Sequence, residues 1–270
     1  IILSELLRQG YRKPHVVFLN PLGGGTKEFM QNKELLSLVG LGDEIRDVEA
    51  ITDHLLKTYK PKCDIIVMSH SLGALRQLGV IRAVNKLNSN KVDEQISSTR
   101  AKIRQLVILN GTRGGFLDLV KMTAVVQASL WPVVTRNCCL ELSPAEHRMM
   151  MFDSSTPDAE VRGYNERALP GSLRTFLELA VPIGQPNMLD VIREAKTYGT
   201  DLRVDIVESE HDVLLPHPKT TNEIASLEKI GISARAHTFQ TPHSIPSKMS
   251  KAEYASVART MNEIFKKVKA

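Results

Sequence analysis

Three side-chain types that together make an oxygen nucleophile stand at separated points of the chain: a serine at 71, an acidic cluster ending at 212, and a histidine at 243. Ser71 is the middle of Ser69-His70-Ser71-Leu72-Gly73. An apolar run precedes it and a helix-period segment follows it. A serine on a sharp turn between a buried strand and a helix holds its hydroxyl above the sheet, and the helix N-terminus favours developing negative charge. Such a turn wants small residues two positions before and after the nucleophile, and Ser69 and Gly73 meet that demand. A hydroxyl attacks only when a base takes its proton, and the base needs a third group to fix its tautomer. The partners belong at later strand ends. Glu208-Ser209-Glu210-His211-Asp212 follows one apolar run as an acidic loop, and Thr241-Pro242-His243-Ser244 follows the next. Asp212 is the first candidate acid, with Glu210 in reserve. His243 is the first candidate base, ahead of His237, which lies inside an apolar run and reads as a sheet residue. His70 cannot reach round to serve its own neighbour and reads as a packing or pocket-wall residue.

The elements that would position these groups follow from the hydrophobic pattern. Short runs rich in β-branched residues recur at His15–Leu19, Leu35–Val39, Asp64–Met68, Ile103–Leu109, Leu202–Val207 and Ala234–Phe239. Their apolarity is continuous rather than alternating, as in a parallel sheet covered on both faces. Between them Ile45, Val48, Ile51, Leu55 and Tyr59 fall on one helical face, and Leu72, Leu75, Val80, Val84 and Leu87 follow more loosely. Ser250 with Glu253 predicts a capping box opening a C-terminal helix through Tyr254, Val257, Met261, Ile264, Phe265 and Val268. Strand–helix alternation of this kind reads as a doubly wound α/β domain. Residues from about 112 to 186 break the rhythm, with six prolines, helical pieces and no convincing strand, and are expected to form an insertion over one end of the sheet.

These segments resemble the α/β-hydrolase superfamily, in its lid-bearing esterase and peptidase-like branch, over nearly the whole chain. The resemblance rests on SHSLGA for the elbow, SEHDVLLP for the acid loop and PHS for the histidine loop. It implies an α/β-hydrolase fold: a mostly parallel central sheet with helices on both faces and a helical lid or cap insertion. The core is then 1–112 with 187–270, and the lid is 113–186. By resemblance Ser71 is the nucleophile, Asp212 the orienting acid and His243 the general base. The oxyanion hole falls by position on the amides of Leu22 and Leu72. Two departures stand out: Asn20-Pro21 where the superfamily usually has His-Gly, and Ser209 where its acid loop usually has glycine. The implied activity is a serine hydrolase cleaving a small or medium ester, thioester or amide through an acyl-enzyme, without a cofactor. The alternatives are a non-catalytic ligand-binding protein on the same fold, or an acyltransferase, a carbon–carbon hydrolase or a cofactor-free haloperoxidase using the same three residues.

Other features narrow the classes. The chain has 270 residues, 42% of them apolar and 24% charged, which is ample for a buried core and unlike collagenous, coiled-coil or low-complexity sequences. A net charge of +5 is spread along the chain, so nucleic acid is not an expected partner, and no apolar run reaches bilayer length. A small acyl substrate is the expected one. Three cysteines, Cys138 and Cys139 adjacent, suit neither disulfides nor a metal, which points to a reducing, cytoplasmic compartment. The start at Ile1 leaves room for an upstream segment. Asn20–Lys27, NPLGGGTK, fails the spacing of a P-loop. It resembles the opening motif of diacylglycerol and sphingosine kinases, whose second Gly-Gly-Asp-Gly-type motif is absent. Met149 to Phe152, with Trp131 and Phe116, are candidates for an apolar pocket or simply for core.

Overall fold

The computed structural model of the chain describes residues 6–10, 17, 38–59, 64–89, 101–111, 139–140, 143–152, 154, 156–167, 171–172, 174–175, 178, 186–197, 201–212, 214, 220–244 and 249–266. In chain order these form α1 (Leu41–Tyr59), β1 (Asp64–His70), α2 (Gly73–Ser89), β2 (Lys102–Leu109), β3 (Cys139–Leu140), α3 (Pro144–Met151), α4 (Asp158–Arg167), β4 (Gly171–Ser172), α5 (Met188–Thr197), β5 (Arg203–His211), α6 (Thr220–Lys229), β6 (Ser233–Pro242) and α7 (Lys251–Phe265). Four strands form one sheet in the order β1-β2-β5-β6, every neighbouring pair parallel. Their carboxyl ends therefore lie along one edge, and that edge receives Ser71, Asn110, Asp212 and His243.

Parity along each strand sorts the core. Leu106 and Ile108 of β2 and Val204 and Ile206 of β5 face a cluster built with α2, α5 and α6, while Val107, Leu109, Val207 and Phe239 face α7 through Val257, Met261, Ile264 and Phe265. Helices thus cover both faces, as continuous apolar strands require. The chain has the doubly wound α/β organisation that the pattern predicts.

Several details differ from the sequence reading. β5 and β6 run on to His211 and Pro242, so Glu208 to His211 are strand rather than loop, and Asp212 and His243 each come directly after a strand. The buried stripe of α1 is Ile45, Val48, Thr52 and Leu56, while Tyr59 is exposed. Leu38 and Val39, the described end of the expected strand Leu35–Val39, are not extended in a sheet. The carbonyl of Val39 instead accepts the hydroxyls of Ser172 (2.5 Å) and Thr175 (3.1 Å), and that of Leu38 accepts Arg174 (2.7 Å), so side chains replace a neighbouring strand. Within 112–186, where no strand was expected, Cys139–Leu140 pairs antiparallel with Gly171–Ser172. The strand expected at His15–Leu19, the NPLGGGTK loop with Leu22, and Phe116, Trp131 and Cys138 fall outside the described residues apart from Val17. The capping box at Ser250 and Glu253 forms as expected.

Candidate active site

The turn after β1 is built as a strained corner. Ser71 has φ 52°, in the left-handed region that a non-glycine residue adopts only when its surroundings impose it. The surroundings are specific. The Ser71 amide donates to Leu109 O at the end of β2 (3.0 Å), and the Ser71 and Leu72 carbonyls accept the amides of Ala74 and Leu75 (3.0 Å each) as α2 begins. Among the described residues no backbone carbonyl takes the amide of Leu72. Ser69 is buried and its hydroxyl donates to Gln77 Oε1 across the turn (3.4 Å). A methyl group built on Gly73 meets only Ser69 Cβ at 3.5 Å, an ordinary contact, so the turn limits side-chain size there without requiring glycine.

The acid and the base meet. His243 Nδ1 lies 2.7 Å from Asp212 Oδ2, with the two side chains 0% and 1% exposed. A carboxylate can only accept, so Nδ1 carries the proton and the lone pair is left on Nε2. That Nε2 is buried and has no hydrogen-bond partner among the described residues, Ser71 included. Asp212 is itself fixed: its second oxygen accepts the Leu214 amide (2.9 Å), and its own amide donates to Ser209 O (3.1 Å). Glu210, the reserve acid, is exposed on β5, and His243 pairs with Asp212 instead. His237 is committed elsewhere. Its Nε2 is 2.8 Å from Asp205 Oδ1, and it lies six residues before His243, about 20 Å along an extended strand.

His70 is more than wall. Its ring packs on that of His243 at 5.0 Å, and its Nε2 donates to the His243 carbonyl (2.9 Å). One face of His70 remains open to solvent, but the dense protein around the ring and the neighbouring His243 push its pKa from the ordinary 6.5 down to about 4. The sequence reading missed Asn110. It directly follows β2, has φ 44°, is buried, and donates through Nδ2 to both the His243 carbonyl (2.9 Å) and Ser209 Oγ (2.8 Å). Asparagine tolerates the left-handed region better than most residues, and an Asn-Gly pair just after an apolar run was the available signal. Of the apolar candidates, Met150 and Phe152 are buried, whereas Met149 is exposed. Among the described residues no cluster of three or more histidine, cysteine or acidic side chains could hold a metal ion.

No protein-family profile matches the sequence, and no curated protein matches it. Solved structures do. The chain superposes on VinJ with a TM-score of 0.55 at 15% identity, covering 98% of this chain and 84% of that one. It superposes on Rv0554 from Mycobacterium tuberculosis with a TM-score of 0.50 at 14% identity, covering 86% and 74%. The fold is the α/β-hydrolase fold.

Proposed function

We propose that this chain is a serine hydrolase acting on a small or medium ester, thioester or amide, with Ser71 as nucleophile, His243 as general base and Asp212 as its orienting acid. The observation that carries the reading is the buried 2.7 Å pair of His243 and Asp212, whose imidazole packs against the residue preceding the strained Ser71. Ser71 Oγ attacks the substrate carbonyl carbon, and its proton passes to His243 Nε2. The imidazolium so formed is stabilised by Asp212 and then protonates the leaving group. Water, deprotonated by His243, releases the acyl group from Ser71. The amides of Leu72 and Leu22 serve as oxyanion donors, the first at the start of α2 where the helix end adds positive potential. Residues 113–186 are the cap over the strand ends. The described part of that stretch is tied to the rest of the chain by Ser244 N donating to Met151 O (3.0 Å) and by the contacts of Ser172, Arg174 and Thr175 with residues 38 and 39. The reading needs no cofactor.

A fluorophosphonate probe tests it directly. Wild-type chain is expected to be labelled at Ser71 and to hydrolyse p-nitrophenyl acetate, and Ser71→Ala to lose both. Labelling or turnover that survives Ser71→Ala removes the assignment.

A further inference from the structure

Asn110 does something that the three proposed catalytic residues leave unexplained. It is almost fully buried and left-handed, directly after β2, and its amide reaches two neighbouring strands at once. Nδ2 donates to Ser209 Oγ near the end of β5 and to the carbonyl of His243, just past the end of β6. Ser209 Oγ in turn lies 3.0 Å from Thr241 Oγ1, which is buried completely. The His243 carbonyl also accepts His70 Nε2 (2.9 Å), so both of its lone pairs are occupied. Asn110 Oδ1 has no partner among the described residues. The amide is therefore held by its N–H donors alone, and a buried acceptor is left unsatisfied at some cost to stability.

We infer that Asn110 is a positioning residue for the general base: with His70 it clamps the His243 peptide, so that the imidazole is held by its main chain at one end and by Asp212 at the other. This deepens the triad reading and rests on it. The geometry leaves Nε2 as the one polar atom of the His243 side chain without a partner, and this is the atom that must take the proton of Ser71. It also gives Ser209, the departure from the superfamily's glycine, a use: its hydroxyl is the second acceptor of Asn110 Nδ2 and fixes the rotation of that amide. Asparagine suits the position because it combines tolerance of a positive φ with an N–H donor on a short stem.

The test compares Asn110→Gly and Asn110→Asp with the wild-type chain in p-nitrophenyl acetate hydrolysis, with kcat and KM measured separately, and in fluorophosphonate labelling. Glycine keeps the left-handed backbone and aspartate keeps the side-chain shape, while each removes the N–H donors. Loss of a fixed geometry is expected to lower kcat by about 10²-fold. KM is expected to stay within about twofold, because no substrate contact is removed. Asn110→Gly with the wild-type kcat overturns the inference and leaves Asn110 a backbone residue only. Where neither variant folds, Ser209→Ala decides: it removes one of the two acceptors of Asn110 Nδ2 and is expected to lower kcat by about tenfold, the worth of one hydrogen bond. An unchanged kcat overturns the inference. Wild-type chain that is not labelled at Ser71 overturns the triad reading, and this inference with it.

Discussion

A buried histidine and a buried aspartate are each costly alone and tolerable together, and the pairing fixes which nitrogen carries the proton. Asp212→Asn keeps the size of the side chain but offers N–H groups to a nitrogen that must donate, so the imidazole adopts the wrong tautomer. The expected result is a fall of about 10⁴-fold in kcat for p-nitrophenyl acetate with the thermal melt still cooperative. Glu210 is exposed, and Glu210→Gln is expected to leave turnover unchanged in the same assay. A Glu210→Gln variant as slow as Asp212→Asn would exchange the roles of the two acids. Asp212 was readable because SEHDVLLP resembles the superfamily's acid loop, with the aspartate four residues before Pro216. The bond from the Leu214 amide to its other oxygen was not, because a hydrogen bond two residues along leaves no mark in composition.

At the scale of elements, α1 and α2 approach so closely that a methyl group on Gly79 would lie 2.4 Å from Ile45 O and 2.7 Å from Glu49 N. Both are backbone atoms and cannot step aside. Gly79→Ala is expected to lower unfolding free energy by about 1–3 kcal/mol in denaturant titration, whereas Gly73→Ala, with room at 3.5 Å, costs less than that. Between the same helices Glu44 is 1% exposed and pairs with Arg76 at 2.6 Å, so Arg76→Ala strands a buried carboxylate and is expected to cost about 3 kcal/mol. These contacts mark where the sequence stopped being informative. Apolar runs announced β1, β2, β5 and β6, and a capping box announced α7. Strand length was underestimated because Glu208 to His211 are polar and read as loop, yet the ladder to β6 carries them. The expected strand at Leu35–Val39 failed at its described end for the converse reason: apolar residues there find hydroxyls and an arginine to satisfy their carbonyls. Asn110 escaped notice because its importance lies in bonds to residues 99 and 133 positions away.

Across the whole molecule, acid weakens the fold in two stages. His70 has a folded-state pKa of about 4 against an ordinary 6.5, so between those values the unfolded chain binds more protons at this site. Stability from this site is fully present above pH 6.5 and drains away as pH falls toward 4. His147, lowered mainly by burial, acts in the same direction. Burial opposes ionisation of Asp205, but the hydrogen bond from His237 and the charges of Arg203 and Arg235 outweigh it and hold the carboxyl below its ordinary 3.8. Its share is lost at lower pH still. Melting temperature is expected to fall from pH 6.5 to pH 4, and His70→Gln to flatten part of that slope. A slope unchanged by the substitution would remove His70 as its source. One main-chain bond has a wider meaning. Ser244, next to the imidazole-bearing residue, gives its amide to Met151 at the last turn of α3. The segment just past β6 and the end of α3 are thus fastened main chain to main chain, so neither can shift without drawing the other along.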